Sequence, residues 1–110
     1  MEAWTKWVPF PDPRKKEFVY APIGPGVYEL RRKDTQELVL RGSGKNCAYR
    51  MTSLLPAPLG QGTRKNQGKR DYVLENLPLL EYRCCACATE DEAESLETRL
   101  KLEVACLFPT

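Results

Sequence analysis

Histidine is absent from this chain of 110 residues. Its absence excludes Ser-His and Cys-His catalytic pairs and removes the commonest partner of cysteine in zinc sites. No apolar run approaches the roughly 20 residues that a membrane helix needs. The N-terminus, with Glu2, Trp4, Trp7 and several prolines, lacks the basic-then-apolar layout of a signal peptide. A cytoplasmic protein with no membrane partner is expected. The third absence is local: no aspartate or glutamate stands between Val39 and Arg70.

That acid-free stretch carries seven positive charges, on Arg41, Lys45, Arg50, Arg64, Lys65, Lys69 and Arg70, whereas nine acids face three bases from Asp71 onward. The net charge of +2 therefore conceals a strongly basic centre. Such a block suits phosphate, because neutralising phosphates releases condensed counterions. A loop kept soluble by its charge has the same composition. With 42% hydrophobic and 29% charged residues the rest reads as one small globular domain.

The five cysteines offer no metal set. Cys84, Cys85 and Cys87 fall in a strand-like run, where alternation puts Cys85 and Cys87 on one face and Cys84 on the other. They read as small apolar residues in a reducing compartment.

Along the chain, residues 1–23 form a proline-rich arm with an Arg14-Lys15-Lys16 cluster, and residues 24–110 form the domain. Gly24-Pro25-Gly26 signals a turn. Val27 to Arg32 and Glu37 to Arg41 read as two strands joined by Lys33-Asp34-Thr35-Gln36, hence an antiparallel pair. An amphipathic helix follows over about Lys45 to Leu55, stopped by Pro56, and a second over about Lys69 to Leu77, stopped by Pro78. The cysteine strand comes next. Thr89-Glu90-Asp91-Glu92 is a capping box opening a last helix with Ala93, Leu96, Leu100 and Val104 as its apolar stripe. The expected fold is α+β, a three-stranded antiparallel sheet flanked by helices.

Three motifs in this order carry a resemblance. Gly26-Val27-Tyr28 opens the first strand and Leu40-Arg41-Gly42 ends the second. Arg50 then lies eight residues beyond Gly42, and Glu92-Ala93-Glu94-Ser95-Leu96-Glu97-Thr98-Arg99-Leu100 lies in the last helix. Together they resemble the GIY-YIG nuclease family, closest to the N-terminal nuclease domain of the bacterial excision-repair endonuclease, over about residues 24–104. The resemblance implies a divalent-metal-dependent DNA endonuclease that hydrolyses phosphodiester bonds. Tyr28, Arg50 and Glu97 would be its catalytic residues, with Glu97 the ligand of Mg²⁺ or Mn²⁺. Two departures stand out: Leu40 replaces the second signature tyrosine, and Cys106-Leu107-Phe108 replaces the asparagine that usually follows the last helix.

Each of these residues suits its implied task and has an ordinary alternative. A guanidinium at Arg50 can hold a phosphate bidentately, or lie on a half-exposed helix. A carboxylate at Glu97 can take Mg²⁺ beside phosphate and water, or pair with Lys101 one turn on. Tyr28 can orient water or phosphate, or simply pack. Ser43 and Lys45, just after the second strand, suit an anion. Lys45, Arg64, Lys65, Lys69 and Arg70 are the candidate nucleic-acid contacts. Leu40 has no ionisable group, so catalysis is expected to be weakened. A catalytically degenerate nucleic-acid-binding module and a protein-interaction domain meeting an acidic partner are the alternative functions.

Overall fold

A computed structural model describes residues 4–12, 21–51 and 67–108. Its elements are β1 (Val8–Pro9), β2 (Gly26–Arg32), β3 (Leu38–Gly44), α1 (Cys47–Met51), α2 (Gln67–Glu75), β4 (Leu80–Ala86) and α3 (Glu90–Glu103), with a 3₁₀ turn at Leu77–Leu79 before β4. The fold is α+β. All strand pairs are antiparallel, in the order β1-β4-β2-β3.

The sheet has four strands rather than the three expected. The proline-rich arm contributes the extra one. Val8 and Pro9 pair with Tyr82 and Glu81 of β4, and the Thr5 and Phe10 amides donate to the Cys84 and Leu80 carbonyls. Proline lacks a donor and is tolerated on such an edge. The arm is also held by its tryptophans. The Arg83 guanidinium lies 4.1 Å from the centre of the Trp4 ring and 4.9 Å from that of Trp7, and Arg31 lies 4.1 Å from Trp7.

Alternation on β2 sorts the core into two layers. Tyr28 and Leu30 face Leu40, Cys47, Met51, Val73 and Leu80. Val27 faces Cys85, Ala93 and Leu96, the side covered by α3. Cys84 and Cys85 consequently lie in different layers, all five cysteines are free, and among the described residues no three His, Cys, Asp or Glu side chains gather to bind a metal. No described helix is long and apolar enough to cross a membrane.

The α3 layer also buries charge. Glu29, 1% exposed, accepts from Arg41 Nε at 2.8 Å and from Arg83 Nη2 at 2.6 Å. Its strand position predicts the face it occupies, yet its charge predicts exposure. Two guanidiniums from the neighbouring strands reconcile the two.

Thr89 caps α3 as its sequence predicts, its hydroxyl accepting from the Glu92 amide at 3.1 Å. The apolar stripe ends sooner than expected. Ala93 and Leu96 are buried, whereas Val104 lies beyond the helix and is 51% exposed. Its carbonyl accepts instead from Arg41 Nη1 at 3.2 Å. The chain then turns along the β3 edge, where the Leu107 and Phe108 amides donate to Leu38 and Val39. Within the described residues the first predicted helix spans Cys47–Met51, and the stretch from Thr52 to Asn66 lies outside them.

Candidate active site

Gly42-Ser43-Gly44 ends β3, the edge strand, and organises the site. Tyr28 of β2 pairs with Gly42. A Cβ at Gly42 would collide with the hydroxyl and ring of Tyr28, so the missing side chain is what lets the phenol lie across β3. Two residues along, a Cβ at Gly44 would come 2.6 Å from Arg50 Cγ, which places the Arg50 stem over that glycine. Ser43 lies between the glycines and so faces the opposite side of the sheet. Its hydroxyl donates to Glu97 Oε1 of α3 at 2.6 Å.

Arg50 from α1 and Glu97 from α3 thus lie on opposite faces of β3. Both charges, with that of Arg70, act on the Tyr28 hydroxyl. Tyr28 and Arg50 share one face of the sheet and Glu97 reaches the strand end from the other, so the three do not converge on one open face. Arg50 is exposed, Glu97 half-buried and Tyr28 only 5% exposed. Leu40 is wholly buried opposite Leu30, in the layer that holds Tyr28. A tyrosine there would have to enter packed core.

The basic block divides in the same way. Lys45 is exposed, as a backbone contact should be, whereas Arg64 and Lys65 lie outside the described residues. Lys69 is half-buried and Arg70 is 5% exposed, so neither is the solvated loop cation suggested by composition. The charge of Arg70 acts on the Tyr28 hydroxyl, and Lys69 feels Arg70, Arg50, Glu97 and Cys106. Sequence reasoning did not anticipate this grouping, nor the Ser43–Glu97 bond. The serine flanked by two glycines at a strand end was the available signal.

Burial pushes the Tyr28 phenol up to about 12, outweighing Arg50 and Arg70, which pull it down. At neutral pH it is a hydrogen-bond donor, not a base. Because the folded pKa lies above the unfolded value near 10, the folded state holds this proton more tightly. The resulting stabilisation is complete below pH 10 and is lost as pH rises towards about 12. Thermal melts between pH 8 and 12 should show an alkaline fall in Tm that is shallower in Tyr28→Phe; parallel curves would contradict this setting.

The residues fit a divalent cation in one mode only. Among the described residues no three His, Cys, Asp or Glu side chains gather to hold one. Glu97 supplies a single carboxylate, oriented by Ser43. Mg²⁺ can bind through one carboxylate when substrate phosphate and water complete its shell.

The two glycines separate site geometry from stability. Gly44→Ala should displace the flexible Arg50 side chain, lowering activity at the site while leaving the melting temperature nearly unchanged. Gly42→Ala must move the buried Tyr28 ring and should cost about 1–3 kcal/mol in urea unfolding. Equal effects of the two on stability would contradict the packing described.

No family model, curated protein or solved structure matches this chain.

Proposed function

We propose that this protein is a slow, divalent-metal-dependent DNA endonuclease of the GIY-YIG type, hydrolysing phosphodiester bonds at the Gly42–Gly44 end of β3. One observation carries this reading: the Gly42–Gly44 strand end seats the Tyr28 ring and the Arg50 stem on one face, while its Ser43 hydroxyl holds Glu97 on the other. The motif resemblance supports it independently, since it singles out the same three residues.

The chemistry is addition of water to phosphorus and departure of the ester oxygen, which takes up a proton. Arg50 can bind the non-bridging oxygens and offset the charge that grows on them. Tyr28 can donate its phenolic hydrogen to a phosphate oxygen or hold the water. Glu97, fixed by Ser43, would hold Mg²⁺ or Mn²⁺. When bound, that ion would supply Lewis-acid polarisation of the phosphate.

Proton removal from the water is the weak step. Leu40 offers no ionisable group, and Tyr28 keeps its proton at neutral pH. Missing base assistance typically costs 10²–10⁴-fold. Those same two facts favour a second reading, a catalytically degenerate module that binds nucleic acid without cutting it.

Free cysteines suit a reducing, cytoplasmic setting. Incubating the protein with plasmid, single-stranded and branched DNA, with and without Mg²⁺ or Mn²⁺, separates the readings. Metal-dependent cleavage is expected. Salt-sensitive binding without cleavage would select the binding module, and neither would point to a protein partner.

A further inference from the structure

Three sulfur side chains meet in the core layer that holds Tyr28, and the chemistry proposed above uses none of them. Cys47 opens α1 and Met51 closes it, so the two lie one turn apart on the same helical face. Both are buried, at 0% and 2% exposed. Cys84 reaches them from β4, where it pairs with Tyr28, and is itself wholly buried. Its Sγ lies 3.7 Å from Met51 Sδ. Cys47 gives its thiol hydrogen to Cys84, which pushes the Cys47 thiol up and draws that of Cys84 down.

Sulfurs scattered through a core need no explanation beyond packing. These are neighbours at a spacing that matters. At a metal–sulfur distance of about 2.3 Å, three sulfurs in one plane around an ion stand about 4 Å apart. The Cys84–Met51 separation of 3.7 Å is already close to that. Cys85 and Cys87 belong to the opposite layer and cannot join. Cysteine spacing alone gives no metal set, and no three His, Cys, Asp or Glu side chains gather among the described residues. Met51 supplies the ligand that such sets lack. Thiolate and thioether are soft donors that select Cu(I), whereas structural zinc takes four ligands and magnesium takes oxygen.

We propose that Cys47, Met51 and Cys84 form a three-coordinate site for Cu(I) between α1 and β4. The ion replaces both thiol hydrogens, which leave to solvent as protons, and ties the helix to the sheet. The site does not depend on the nuclease reading. None of the three side chains is open to solvent, so the ion enters only when α1, a helix of five residues, lifts from the sheet. Uptake should therefore be slow and should quicken in mild urea.

The test is a titration of the full chain, carrying methyl-¹³C methionine and kept reduced, with Cu(I) supplied as its acetonitrile complex against bicinchoninate as competing chelator. Met1 and Met51 are the two methionines, so two methyl signals report. One Cu(I) per chain should bind and shift the Met51 methyl alone. Met51→Leu nearly conserves volume and should weaken binding by roughly 10–100-fold or more, since losing even an outer partner of a metal site costs that much. Cys84→Ala should abolish binding at the site. Removing the other thiols together, by Cys85→Ala, Cys87→Ser and Cys106→Ser, should leave the affinity and the Met51 shift unchanged. Should Cys84→Ala fail to fold, Met51→Leu and the methyl signal decide the matter. A Met51 methyl that does not move, copper lost with Cys85, Cys87 and Cys106 instead, or folded Met51→Leu that binds as wild type would overturn the site. Failure of the nuclease reading would leave all of these results as they are.

Discussion

Glu29→Ala should lower stability by roughly 3–5 kcal/mol, the usual cost of stripping one partner from a buried ion pair. Glu29 is 1% exposed and Arg41 3% exposed. After the substitution Arg41 would keep the Val104 carbonyl but lose its counter-charge. Arg83 is less affected, being 28% exposed and stacked on Trp4 and Trp7. For a domain whose total stability is of the order of 5–15 kcal/mol, the melting temperature should fall on the order of 15 °C. The double change Glu29→Leu with Arg41→Met should recover much of that loss, because it removes the stranded charge along with its partner. Calorimetry and urea unfolding check both results. A loss below about 1 kcal/mol for Glu29→Ala would mean the carboxylate is not buried as described.

The second large effect concerns activity. Arg50→Ala should reduce metal-dependent DNA cleavage by roughly 10²–10³-fold, the range seen when a donor to developing transition-state charge is removed. Glu97→Gln should be at least as damaging, because it weakens the single carboxylate available to the metal. Stability should hardly register either change. Arg50 is exposed, and Glu97→Gln weakens a hydrogen bond from Ser43 worth about 1 kcal/mol. Single-turnover cleavage measured beside thermal melts separates the two effects. Activity that falls only in proportion to lost folded protein would remove both residues from the chemistry.

What the sequence made legible was local. The β2–β3 hairpin, the cap at Thr89 and the opposite faces of Cys84 and Cys85 follow from period-two alternation and short-range hydrogen bonding. Position could be read for Glu29, and alternation did place it with Val27. Its burial could not, because that depends on Arg41 and Arg83 arriving from two other strands. The fourth strand was hidden for a similar reason. Prolines in the arm argue against regular structure, and only pairing with the β4 edge makes Val8–Pro9 a strand.

The candidate site shows the same division. Motif order selected Tyr28, Arg50 and Glu97. Lys69 and Arg70 were legible as the start of a helix, but the burial of Arg70 was not, because composition carries no information about which helix face packs inward. Leu40 marks the opposite failure: its signature position suggested a missing catalytic hydroxyl, whereas cross-strand pairing with Leu30 places it in the core.

Nicking of supercoiled plasmid is the most direct test of whether this strand end cuts DNA. Wild type and Glu97→Gln, purified in parallel, would be compared with Mn²⁺, with Mg²⁺ and with chelator. The predicted result is slow nicking by wild type that needs metal and is absent from Glu97→Gln. Equal nicking by both proteins, or none by folded wild type that binds the same DNA, would contradict it.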